Sequence, residues 1–190
     1  MRWTCAWLVF VCLLCSRPLC VGQAKGNVHG NVFREPTLGL TYEFSEKLSP
    51  EVEGKSPIHG SEREHVILTL WEAPQHRGAL RMAFLYDTKQ RSSDRTRDTI
   101  ALAYIGEIRG MWQGVKGVKM DAPTKVSQPS YDYWRLDFFA PGQVPRYNSM
   151  IVITLSDRRV LAVRAAAPSQ SELDSEVDSL SRMRFDKSQK

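Results

Sequence analysis

Beyond residue 20 the 190-residue chain has no cysteine, because Cys5, Cys12, Cys15 and Cys20 all fall at its amino end. No disulfide is open to the remainder, whose stability must come from a packed core. Histidine is scarce as well. His29, His59, His65 and His76 give no His-Glu-x-x-His spacing, and Glu64 and His65, adjacent on a strand, would point to opposite faces, so the set His59, Glu62, Glu64 and His65 reads as a solvated strand start and no metal is expected. A Gly-x-Ser-x-Gly elbow, a glycine-rich phosphate loop and a Gly-x-Gly-x-x-Gly fingerprint are all missing, and with them the usual sequence marks of hydrolases and nucleotide binders. No apolar run nears the roughly 20 residues of a membrane-crossing helix. Excess charge of one sign is also small: 26 Lys and Arg against 21 Asp and Glu give +5, too diffuse for a nucleic-acid binder.

The amino end carries an address. Arg2 and Trp3 open a short basic region, and Ala6 to Cys15 is an uncharged apolar run of ten, followed by the helix-breaking Pro18. This is the layout of a signal peptide. Gly22-Gln23-Ala24 and Cys20-Val21-Gly22 are the two cleavage tripeptides, and the cut is expected after Ala24. Residues 1–24 are thus read as a leader, and the mature chain as secreted or periplasmic. A lipoprotein anchored at Cys20 is the competing reading, but Arg17-Pro18-Leu19 lacks the small residues wanted there. Losing Arg2 and Arg17 lowers the formal charge from +5 to +3.

Residues 25–31, with two glycines and two asparagines, read as a linker, and order is expected from Val32. Val32 to Arg34 and Leu40 to Phe44 read as strands around the turn-like Pro36-Thr37-Leu38-Gly39, with Leu40, Tyr42 and Phe44 on one face. Ser45 to Ser61, polar and carrying Pro50 and Pro57, reads as a loop. Strands are predicted over His65 to Trp71 and Ala79 to Tyr86. Ile100, Tyr104, Ile108 and Met111 recur at helical spacing, with Gly114 as the stop. A brief strand fits Lys125 to Ser127, and stronger ones fit Tyr131 to Ala140, Met150 to Leu155 and Val160 to Ala165. After Pro168 the spacing Ser169-x-x-Glu172 marks a helix start, and Leu173, Val177, Leu180 and Met183 continue it. One α+β domain over 32–186, an antiparallel β-sheet flanked by helices, gives each apolar stripe a partner; 187–190 is a tail.

Two surfaces stand out. Gly106, Gly110 and Gly114 recur every four residues on the middle helix, where an interior glycine costs about 1 kcal/mol. The stripe serves either tight packing on the sheet or the docking of a partner. Tyr131, Tyr133 and Tyr147 with Arg135 and Arg146 combine residue types enriched at binding faces, and with the loop 45–61 they form the expected recognition surface, unless a covered sheet face explains them. Arg91, Arg95, Arg97, Lys116, Lys119 and Lys125 offer a place for an anionic lipid or polysaccharide. Glu172, Asp174, Glu176 and Asp178 are read as acids suited to a helix N-terminus rather than as catalytic pairs.

The order of elements resembles the PsbP-like fold, an α/β/α sandwich. The resemblance rests on Phe33, Gly39, Leu40, Tyr42 and Phe44 at the opening, the mid-chain helix, the hairpin around Asp157-Arg158, and a closing helix ending in Leu180 and Phe185. It implies a compact, non-enzymatic adaptor or assembly domain that docks to a larger partner. The chain is therefore expected to be an exported binding module for an envelope protein, with no cofactor, no nucleic acid and no transmembrane span after cleavage. A small-molecule or anion binder is the alternative.

Overall fold

The computed structural model describes residues 26–52, 64–72 and 79–186. The leader, the tail 187–190, His59, Glu62 and His76 lie outside the described residues.

Residues 27–31 correct the linker expectation. They form β1 (Asn27–His29) and a turn at Gly30, whose φ of 61° suits glycine, into β2 (Val32–Glu35). Val28 packs against the core, and the Asn31 side-chain amide donates to the Phe44 carbonyl at 3.1 Å. A tight hairpin turned at Gly30, anchored to the core through Val28 and Asn31, replaces the expected linker. The Glu35 carboxylate caps a short 3-10 turn, Pro36–Leu38, by accepting from Thr37, and Gly39 closes that turn at φ 57°. Then follows β3 (Leu40–Glu43), whose Leu40 and Tyr42 are buried with Phe44, as alternation predicts.

The segment expected to be a loop from Ser45 holds β4 (Leu48–Val52), an edge strand, where Pro50 is tolerated because its missing donor is not needed by a neighbour. Residues 53–63 of that segment lie outside the described residues. The chain continues through β5 (Glu64–Glu72), β6 (Leu80–Asp87), α1 (Arg97–Trp112), β7 (Lys119–Met120), β8 (Thr124–Ser127), β9 (Asp132–Phe139), β10 (Tyr147–Thr154), β11 (Val160–Ala167), α2 (Gln170–Ser179) and β12 (Met183–Phe185). Ser169 caps α2 by accepting from the Glu172 amide, as its spacing predicts. The apolar run outlasts the helix, because Leu180 sits in a 3-10 turn and Met183 opens β12, yet all four stripe residues are buried.

Two antiparallel sheets result. The larger has eight strands, in the order β4-β5-β6-β11-β10-β9-β7, with β8 also paired to β9; the smaller runs β1-β2-β3-β12. Strand alternation divides the apolar residues of the large sheet between its two faces. One face buries Leu85, Ala162, Val152 and Leu136 beneath Ile100, Tyr104, Ile105 and Ile108 of α1. The other buries Phe84, Val163 and Ile151 beneath Leu173 and Val177 of α2 and beneath Phe33, Leu40 and Tyr42 of the small sheet. No helix among the described residues is long and apolar enough to cross a membrane.

Candidate functional site

The helix α1 starts at Thr96, which accepts from the Thr99 amide, and ends where Gln113 donates to the Arg109 carbonyl at 2.8 Å. Gly114 lies past that end with φ 93°, so its lack of a side chain answers a backbone need and it takes no part in the helix face. Gly106 and Gly110 are different. A side-chain carbon added at either would meet nothing within 4 Å. The buried residues of α1 are Ile100, Ala101, Tyr104, Ile105 and Ile108, and at 100° per residue Gly106 falls opposite their centre. The glycines thus do not ease packing on the sheet, as one reading of the stripe expects. They face outward with Leu102, which is 39% exposed, and Ala103, making a low strip bordered by the exposed Arg109 and Glu107. Met111, expected on the buried stripe, is 52% exposed, although the next residue, Trp112, still packs on Phe138 with ring centroids 5.3 Å apart.

The aromatic and arginine set is not gathered on an open surface. Tyr133 is only 4% exposed, and Tyr131 donates from its hydroxyl to the Leu180 carbonyl at 2.7 Å and meets the Phe185 ring edge-on at 5.5 Å. Burial raises both phenols above the ordinary tyrosine range. Arg135 reaches Asp137 at 2.8 Å and, through the sheet-covering helix α2, Asp174 at 2.6 Å; the second contact holds the Asp174 carboxyl below its usual value. The alternation that placed these residues together is correct, but their shared face is the one that α2 and β12 cover. Tyr147 lies further along it against Phe139, with ring centroids 5.1 Å apart, and Arg146 is exposed in the preceding turn.

The six basic residues also separate. Arg91 is spent on the buried Asp87 at 2.6 Å. Arg95 and Arg97 stay near the start of α1, whereas Lys116 and Lys119 follow its end, about 24 Å away at 1.5 Å per residue. Lys125 bonds Asp98 at 2.9 Å, and the Trp134 indole donates to the other oxygen of that carboxylate at 2.9 Å. The Lys125 bond, then the indole, hold the Asp98 carboxyl below the usual range. This knot lies beside a cleft of about 200 Å³ at the start of α1, lined also by Ile153, Leu155 and Phe185. Sequence reading missed it, since its members are distant in the chain; the only local hint was Asp98 in the first turn. Glu64 accepts from Tyr104 while His65 is exposed, and among the described residues no three potential ligands gather for a metal.

No family model matches the chain, and no curated protein matches it by sequence. Among solved structures it is similar to the solution structure of cyanobacterial PsbP (CyanoP) from Synechocystis sp. PCC 6803, with a TM-score of 0.56 at 10% identity over 87% of this chain and 99% of that one. At such identity the likeness is one of backbone course alone. That course takes in nearly the whole of the cyanobacterial protein, with antiparallel sheets dominating and two helices laid against them, and so the chain has a PsbP-like fold.

Proposed function

We propose that this chain is an exported, non-enzymatic binding module that docks to an envelope macromolecule through the outer face of α1. The observation that carries the reading is the outward placement of Gly106 and Gly110 in a helix interior, where nothing inside the molecule offsets about 1 kcal/mol lost at each. A smooth strip with Leu102 at its side lets a second backbone approach closely. The signal-peptide layout of residues 1–24 supports export, and PsbP itself, by its likeness in fold, supports a module that works by attachment.

Affinity capture from the native envelope fraction tests it. The wild-type chain is expected to retain a specific protein that Gly106→Leu and Gly110→Leu both lose while melting at or above the wild-type temperature. Retention by both leucine variants would end the proposal.

A further inference from the structure

The face of the large sheet away from α1 holds a polar cavity of about 300 Å³ that plays no part in the proposed docking. Its walls come from α2, the turn before β4, and the facing ends of β5 and β6. Lys47, Glu72, Arg81, Glu176 and Arg182 supply their charges, and Ser175 and Ser179 their hydroxyls. At that size it sits at the small end of ligand pockets, which run from about 300 to 1,000 Å³.

A local irregularity builds the site. Leu70 pairs with Met82 but the next residue, Trp71, pairs with Leu80, so Arg81 is an extra residue bulged out of β6. Such bulges re-aim a side chain. Here the guanidinium turns to α2, where it donates to Glu172 at 3.1 Å and lies 3.1 Å from Glu72, with the residue only 8% exposed. Two of the three carboxylates nearby are therefore satisfied by one cation.

The third is not. Glu176, one turn beyond Glu172, has no hydrogen bond or ion pair to its carboxylate among the described residues, and burial pushes its pKa up despite the pull of Arg81 and Arg182. Arg182 and Lys47 likewise form no ion pair among the described residues. The wall itself is rigid: the Ser179 hydroxyl donates to the Glu176 carbonyl at 2.6 Å and shares a 2.8 Å hydrogen bond with the Tyr42 hydroxyl. The cavity thus sets one half-buried carboxylate, without a hydrogen bond of its own, beside two exposed cations that form no ion pair among the described residues. A purely anionic guest would face the half-buried Glu176, and a purely cationic one would face Arg182 and Lys47.

We propose that this cavity binds a small zwitterion, with its ammonium group on Glu176 and its carboxylate on Arg182 and Lys47. The ammonium meets a half-buried carboxylate that has no hydrogen-bond partner among the described residues, and the guest's carboxylate meets two exposed cations through charge-assisted hydrogen bonds.

The test titrates the full chain with glycine, β-alanine and γ-aminobutyrate, a series that steps the ammonium away from the carboxylate, beside butyrate and butylamine. Amide shifts of Ser175 and Ser179 report on binding. At least one zwitterion should saturate, at least tenfold more tightly than either singly charged probe. Glu176→Gln and Arg182→Gln should each weaken it tenfold or more at a wild-type or higher Tm, whereas Gly106→Leu should leave it unchanged. Three results overturn the proposal: no saturation by any of the zwitterions, equal binding of butyrate or butylamine, or undiminished affinity in Glu176→Gln. Should that variant unfold, Arg182→Gln, altered at an exposed residue, decides alone. Loss of partner capture in the α1 variants bears on docking and not on this site.

Discussion

Tyr104 donates its hydroxyl to the Glu64 carboxylate at 2.7 Å, which ties the middle of α1 to the first residue of β5. Burial holds the Tyr104 phenol far above the ordinary tyrosine range, so it stays a donor. The bond fixes how α1 is rotated on the sheet and hence which residues it turns outward. Tyr104→Phe keeps the ring and removes the donor. It is expected to lower stability by about 1–2 kcal/mol in denaturant unfolding, and an unchanged midpoint would show that packing alone sets the helix.

Because Gly106 and Gly110 have open space around them, Gly106→Ala and Gly110→Ala should each raise unfolding free energy, by up to about 1 kcal/mol. If the glycines instead admitted the sheet, the same changes would destabilise through overpacking. The sign of the shift separates the two cases before any partner is known.

Tyr133→Ala empties part of the core between the sheet and α2 and should cost about 3 kcal/mol or more. Arg135→Ala loses its links to Asp137 and Asp174, the latter half exposed, and should cost only about 1 kcal/mol. Both effects would appear in equilibrium unfolding of the isolated chain. A binding loss with full stability would instead restore the aromatic set as a recognition surface.

Tyr42 is pushed up to about 12 by burial, and Tyr104 and Tyr131 are raised in the same direction. Unfolded tyrosine ionises near pH 10. Their stabilising contribution is therefore complete below about pH 10 and is lost as pH climbs from there toward the folded-state values. The melting temperature should fall steeply above about pH 10, with phenolate absorbance from these three appearing together with unfolding. Early, reversible ionisation of all six tyrosines in the folded chain would contradict their burial.

Much of the frame was legible in the residues. Strict alternation placed Leu40, Tyr42 and Phe44 inward, and the interval from Ile100 through Tyr104 to Ile108 marked the buried side of α1. The same interval already set Gly106 on the opposite side, a step of 200° from Tyr104. Where reading by pattern stopped short, pairing between strands and the closed fold decided. Asn27 to His29 has no periodicity of its own and becomes a strand only because Val32 to Glu35 lies beside it. Tyr131 and Tyr133 share a face as alternation requires, but which face α2 covers is a property of the closed fold. Nothing local announces the bulge at Arg81, since it arises from a register shift against Leu70 and Trp71.

The rims of the large sheet complete the picture. One is β4, which carries Pro50, and the other is shared by the short strands β7 and β8 with their lysines, Lys119 and Lys125. Proline, brevity and lysine are the devices that discourage strand addition from a second molecule. Among the described residues, sideways growth of the large sheet is thereby disfavoured at both margins, which leaves its covered faces as the broader ground for a companion.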